Sequence, residues 1–123
     1  MRFIPTRIHA YLDVGIGTLL IMAPWVLGFA TGGPEQWTPV AIGVIGLVYT
    51  LLTDHELGLA QMIPMPTHLG FDIAVGLVLL ASPWLLNFSH IIAWPHVLVG
   101  VLIVLGGLTT RTQREDVATT RRI

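Results

Sequence analysis

Residues 4–29 of this chain read IPTRIHAYLDVGIGTLLIMAPWVLGF, and residues 63–88 repeat the pattern as IPMPTHLGFDIAVGLVLLASPWLLNF. The two stretches share ten identities at a constant offset of 59 residues. In the first stretch the identities are Ile4, Pro5, His9, Asp13, Gly17, Leu20, Pro24, Trp25, Leu27 and Phe29. A repeat at a fixed spacing is a direct sequence indication of architecture. The sequence therefore predicts two copies of one structural unit.

The composition favours a protein that lies in lipid. The chain has 123 residues, 54% of them hydrophobic and 11% charged. A soluble domain of this size needs more polar residues to cover its surface. The absence of cysteine excludes disulfides, thiolate metal sites and cysteine nucleophiles. A net charge of −1 without a basic stripe argues against nucleic acid as a partner.

Two apolar stretches, residues 9–29 and 68–88, have the full length expected of membrane helices, and residues 38–57 and 94–110 reach it only if their ends are counted. About 20 apolar residues in a helix cross the hydrocarbon core of a bilayer. We predict transmembrane helices over residues 9–29, 38–57, 68–88 and 94–110. Thr38-Pro39 and Trp94-Pro95 are typical of helix starts. We place turns at residues 31–34 and 87–90. The first stretch resembles a signal peptide, but its copy lies mid-chain, so we expect a retained helix.

Each repeat holds two crossings, because the similarity continues into the second helix at an offset of 57, which pairs Trp37 with Trp94 and Gly43 with Gly100. Two crossings return the chain to its starting side, so the two copies run parallel. We predict an all-α membrane protein of four transmembrane helices in two parallel hairpin repeats. Repeat 1 covers about residues 4–57 and repeat 2 about residues 63–108. They form a single membrane domain, 1–110, followed by a polar cytoplasmic tail, 111–123.

The arginines and tryptophans predict an orientation. All six arginines lie on the side of the termini, at Arg2, Arg7, Arg111, Arg114, Arg121 and Arg122. Because cytoplasmic segments are rich in Lys and Arg, both termini are expected on the cytoplasmic side of the membrane. The four tryptophans, Trp25, Trp37, Trp84 and Trp94, fall near the opposite face, where tryptophan anchors helices at the headgroup level.

A proline-tryptophan pair recurs near the outer ends of the first and third helices. The two copies read Ala23-Pro24-Trp25 and Ser82-Pro83-Trp84. Each proline frees the carbonyl four residues earlier, at Leu20 or Leu79, and bends the helix. In lipid the freed carbonyl needs another donor. The Ser82 hydroxyl is able to serve its own turn, whereas the first copy has no hydroxyl.

These motifs resemble those of the SPW-repeat family, small bacterial membrane proteins with Ser-Pro-Trp in the first of two membrane helices per repeat. The resemblance covers about residues 4–108. The second copy has the motif intact, and the first has Ala23 at the serine position. The resemblance implies a membrane protein with a repeat layout and implies no particular activity.

Two His-x-x-x-Asp pairs are the candidate chemistry of the sequence. His9 and Asp13 share a helix face, as do His68 and Asp72. An aspartate within the bilayer is costly unless it is paired or neutralised. We favour a structural role in which each aspartate bonds its own histidine, the other hairpin or helix-end amides. Alternatives are proton or cation exchange at the carboxylates, and a divalent metal site formed by these four residues, with or without Asp54, His55 or Glu56.

Other polar and small residues are given structural roles. His90 and His96 are predicted to be interfacial and far from the pairs. Small residues allow helix backbones to approach each other in lipid. We expect the following glycines to mediate helix packing: Gly17, Gly43, Gly46, Gly76 and Gly100.

The favoured function is non-enzymatic, because no nucleophile-base set or cofactor motif is visible. We expect a multi-pass membrane protein with a structural or interaction role. Its partners would be the lipid bilayer and other membrane subunits or a second copy, with no cofactor. The alternative is a small proton or cation transporter or channel that uses Asp13 and Asp72.

Overall fold

The computed structural model describes residues 2–54 and 57–112, which form four helices. The helices are α1 (Thr6–Val26), α2 (Pro34–Leu51), α3 (Met65–Leu85) and α4 (Trp94–Thr109). Helix α1 packs mainly against α2, and α3 mainly against α4. The described residues contain no strand beyond isolated bridges. The all-α fold class is confirmed.

Most of the helix boundaries differ by a few residues from the predicted ones. Helices α1 and α3 begin directly after Pro5 and Pro64 and end three residues before the predicted ends. Helix α2 begins at Pro34, so the prediction that Thr38-Pro39 opens it was wrong. Gly32, with a φ of +88°, makes the turn that lets Pro34 take the first helical position.

Helix α2 ends at Leu51, six residues before the predicted end at 57, whereas α4 begins at Trp94 as predicted. His55, Glu56 and residues 113–123 lie outside the described residues. The predicted tail, with Arg114, Arg121 and Arg122, therefore lies largely outside them too.

Within each hairpin the two helices touch through glycine. A Cβ on Gly43 would lie 2.7 Å from the carbonyl oxygen of Gly17, and one on Gly100 would lie 2.8 Å from that of Gly76. These backbones leave no space for a side chain, as expected where small residues set helix distance in lipid. Gly46 does not take part, contrary to prediction. A Cβ there would meet no atom within 4 Å, because Gly46 faces a cavity.

The surface of the helices is predominantly apolar. Helices α1 and α3 are long and apolar enough to cross a membrane, and only 28% and 33% of their apolar windows are buried in the protein. The core helix of a soluble domain would be mostly buried, so these faces are suited to lipid or to another protein. Helix α4 is also apolar but has 16 residues. The side chains of the four tryptophans are largely exposed.

Two short backbone bridges hold the helix ends together. Ile4, before α1, pairs with Thr110, after α4, and Thr53, after α2, pairs with Ile63, before α3. The bridge at Ile4 includes an N–H of Arg111 that donates to the Ile4 carbonyl at 2.8 Å. The bridges place Thr110 beside the first turn of α1 and Thr53 beside the first turn of α3.

Candidate functional site

The two His-Asp pairs meet in one cluster between the hairpins. His9 and Asp13 project from α1, and His68 and Asp72 project from α3. Within each helix the Nε2–carboxylate distances are 3.1 Å for His9–Asp13 and 3.2 Å for His68–Asp72. The contacts between helices are shorter, 2.8 Å for His9–Asp72 and 2.8 Å for His68–Asp13. Each histidine therefore bonds most closely to the aspartate of the other hairpin.

A threonine fixes the proton on the other nitrogen of each ring. The Thr110 hydroxyl donates to the carbonyl four residues back at 2.6 Å, and the Thr53 hydroxyl does the same at 2.8 Å. Because each hydroxyl has one proton, its oxygen accepts from Nδ1–H of His9 at 2.7 Å and of His68 at 2.6 Å. The hydrogen-bond pattern thus assigns Nδ1 as protonated and directs both Nε2 atoms at the carboxylates.

The cluster holds two further protons in this arrangement. Each Nε2–carboxylate hydrogen bond requires one proton, whether the nitrogen or the oxygen carries it. Two histidines, two carboxylates and two such protons have no net charge, which lowers the cost of burial in lipid. Both rings are buried, whereas the side chains of Asp13 and Asp72 retain 16% and 14% exposure. The carboxylates are the accessible side of the cluster.

A cavity of about 120 Å³ reaches the cluster from between α1, α2 and α3. Asp13 and Asp72 lie on its wall together with Gly46, Tyr49 and apolar side chains. The Tyr49 ring packs on that of His68 with 4.8 Å between the ring centres. The cavity wall is mostly apolar, and its polar side chains are Asp13, Asp72, Tyr49 and Thr50.

Sequence reasoning identified the four central residues but not the two threonines. Thr53 and Thr110 are separated by 57 residues, the offset of the second helices, so extending the repeat to its last residue would have found them. Asp54, which was considered as an added metal ligand, is not part of the cluster. His55 and Glu56 lie outside the described residues.

A further polar contact between the hairpins involves His96, so the prediction that it lies at the interface with lipid headgroups was wrong. His96 is 1% exposed and packs between Phe29 and Phe88, with ring centres 5.4 and 4.8 Å away. Its Nε2–H donates to the Glu35 carbonyl at 2.9 Å. Pro39 lies inside α2 and has no N–H for that carbonyl, so His96 replaces the missing helical bond. His90 is exposed.

In the proline-tryptophan motif of α3, the predicted hydrogen bond of the serine hydroxyl to its own turn is present. The Ser82 hydroxyl donates to the Leu79 carbonyl at 2.7 Å, the carbonyl freed by Pro83. Ala23 offers no equivalent donor to the Leu20 carbonyl in α1. Trp25 and Trp84 point outward beside these prolines and are exposed.

Comparison with known proteins identifies the family. The sequence profile described as SPW repeat domain matches residues 7–110. No curated protein and no solved structure matches the chain significantly. The family match, together with two helices long and apolar enough to span a bilayer, indicates a membrane protein. Since the match covers most of the chain and both Pro-Trp motifs, this protein belongs to the SPW repeat family.

Proposed function

We propose that the chain is a multi-pass protein of the bacterial inner membrane, with four crossings in two parallel hairpins and both termini in the cytoplasm. The equivalent bridges at Ile4–Thr110 and Thr53–Ile63 support a two-fold relation between the hairpins. Arg2 supports the orientation, because its guanidinium binds the carbonyls of Gly107 and Thr110 at the end that also carries Arg111. Alkaline phosphatase fused after residue 110 should then be inactive, and active after residue 90; the reverse pattern would contradict the orientation.

In function the protein is structural rather than enzymatic: it packs against other membrane proteins, as an accessory subunit or as a homo-oligomer. The arrangement of the cluster carries this proposal. Its ring nitrogens and carboxylates are turned inward and bonded to each other across the hairpins. The outward faces of α1 and α3 are left apolar and able to contact lipid or a partner helix.

The best surface for a partner is an apolar groove between the outer halves of α1 and α4. Its volume is about 350 Å³, and its wall includes Leu19, Met22 and Val26 of α1 and Leu98 and Val99 of α4. Van der Waals packing drives helix association in lipid, so a groove gives a partner helix more contact than a convex face does.

Cysteine cross-linking in native membranes tests this proposal, because the chain has no cysteine of its own. Leu19 lines the groove, and Val78, its repeat counterpart 59 residues later, is exposed on α3 outside the groove. Leu19→Cys should cross-link to a defined subunit or to a second copy, and Val78→Cys should cross-link much less. Equal cross-linking at both positions, with no defined product, would contradict the interaction role.

The second candidate function is proton or cation transport through Asp13 and Asp72. It is favoured by the cavity of about 120 Å³ that exposes both carboxylates. Purified protein in liposomes should then carry a flux that Asp13→Asn combined with Asp72→Asn abolishes. A flux that is absent, or is unchanged in the double variant, eliminates this mechanism.

A further inference from the structure

We propose that the His–Asp cluster is a binding site for one divalent metal ion of the zinc class. The ligands are Nε2 of His9, Nε2 of His68, and one carboxylate oxygen each from Asp13 and Asp72. This goes beyond the structural role proposed above, because it gives the cluster a second occupied state in which an ion replaces two protons.

The ligand atoms have the composition and spacing that such an ion requires. One ligand atom from each of the four residues lies within 4.8 Å of all the others. Imidazole nitrogen and carboxylate oxygen at about 2.0–2.2 Å are common ligands of Zn²⁺ in tetrahedral sites. A tetrahedron of that size has edges of about 3.3–3.6 Å. Each Nε2 lies 2.8–3.2 Å from an oxygen of both aspartates, although His9 and His68 contact different oxygens of Asp13. Binding of the ion would lengthen these nitrogen–oxygen distances slightly and draw together any ligand atoms that lie near the 4.8 Å limit.

The threonines already supply the outer shell of a metal site. A histidine that binds a metal almost always donates its other ring N–H to a fixed acceptor, which orients the ring. Thr110 and Thr53 are these acceptors for His9 and His68, and each hydroxyl is held by its own bond to a backbone carbonyl. Both Nε2 lone pairs are thereby directed at the centre of the cluster once their protons leave.

The exchange of protons for the ion conserves charge. The hydrogen-bonded cluster contains two neutral imidazoles, two carboxylates and two further protons, and is neutral. The metal-bound cluster contains the same imidazoles and carboxylates with one divalent ion, and is also neutral. One ion therefore enters as two protons leave to water, with no net charge buried in lipid.

The carboxylates give the ion a route to the site. Asp13 and Asp72 line the cavity between α1, α2 and α3, whereas the histidine rings are buried behind them. An ion that arrives from the cavity meets the two oxygens first and the two nitrogens next. Hard-oxygen cations such as Mg²⁺ are disfavoured, because half of the ligands are nitrogen.

The test is a Zn²⁺ titration of the full chain in mild detergent, with any purification tag removed. We expect one Zn²⁺ per chain, with two protons released per ion in weakly buffered solution, and no competing binding of Mg²⁺. Asp13→Asn combined with Asp72→Asn should abolish binding, and His90→Gln, on the exposed outer loop, should leave it unchanged. No stoichiometric Zn²⁺, or binding that persists in the double Asn variant, overturns the proposal.

A pair of adjacent threonines keeps the test decisive if the double Asn variant does not fold. Thr110→Val removes the acceptor of His9 and should weaken Zn²⁺ binding about 10- to 100-fold. Thr109→Val is the matched control, because its exposed hydroxyl bonds only a carbonyl of its own helix. Equal Zn²⁺ affinities in the two variants would overturn the site. Failure of the metal proposal leaves the cross-linking result at Leu19 unaffected, so the two proposals fail separately.

Discussion

The His96 contact yields a prediction in which one substitution rescues another. His96→Leu removes the Nε2–H that donates to the Glu35 carbonyl. That carbonyl is left without a donor, because Pro39 has no N–H and the surroundings are buried. Pro39→Ala restores an N–H at the position from which a helical bond reaches Glu35. His96→Leu should therefore lower the free energy of unfolding much less when residue 39 is alanine.

The structure sets the size of the effect. Leaving a buried carbonyl unsatisfied costs about 1–3 kcal/mol, and single hydrogen bonds between membrane helices have contributed at most about 1.7 kcal/mol. Nδ1 of His96 is buried without a hydrogen-bond partner within the described chain. This unpaired nitrogen reduces the contribution of the His96 side chain to the free energy of unfolding. We expect His96→Leu to destabilise the protein by about 1–2 kcal/mol, and by less than about 0.5 kcal/mol in the Pro39→Ala background.

Reversible unfolding by SDS in mixed micelles, followed by tryptophan fluorescence, measures these differences. His90→Leu is the control and should change the free energy of unfolding by less than about 0.5 kcal/mol, because His90 is exposed. If His96→Leu costs the same with proline and with alanine at position 39, the assignment of His96 to the freed carbonyl is refuted.

Two further predictions use matched positions and the same unfolding measurement. Gly43→Ala should be less stable than Gly46→Ala by about 1–3 kcal/mol, because a methyl on Gly43 meets the backbone of α1 and one on Gly46 meets nothing within 4 Å. Both variants gain the same helix propensity, so this gain cancels in the comparison. Equal stabilities would refute the close approach of α1 and α2 at Gly43. Ser82→Ala should cost about 1 kcal/mol by removing the donor to the carbonyl freed by Pro83, and Ala23→Ser should stabilise α1 by up to the same amount. A Ser82→Ala variant as stable as the parent would show that this carbonyl finds another donor.

The repeat allowed much of the architecture to be predicted. It located the helices and the four residues of the cluster, and it pointed to the bond of Ser82 with the carbonyl freed by Pro83. All of these depend on local spacing along a helix. Which aspartate each histidine bonds most closely was not predictable from this spacing. Whether His9 bonds most closely to Asp13 or to Asp72 depends on how the two hairpins rotate against each other, and helical periodicity does not specify that rotation.

Two of the missed features, the role of His96 and the start of α2, lie where the repeat is broken. At the offset of 57, His96 corresponds to Pro39, so no identity marked either residue. The two are nevertheless coupled, because the proline of one hairpin creates the acceptor that the histidine of the other satisfies. The start of α2 was misplaced for a related reason, because Pro34 and Pro39 both qualify as first helical residues. A proline inside the helix is tolerable only if its freed carbonyl has another donor, and that donor, His96, lies in the other hairpin.

We infer that paired His–Asp contacts across the hairpins hold this membrane bundle together. A double-mutant cycle on His9→Leu and Asp72→Leu tests it most directly, because these residues are 63 apart in sequence and 2.8 Å apart in the fold. We predict a coupling energy of about 1–2 kcal/mol, whereas the control cycle of His9→Leu with His96→Leu should be additive within about 0.5 kcal/mol. A coupling energy for His9 and Asp72 no larger than that of the control would contradict the claim.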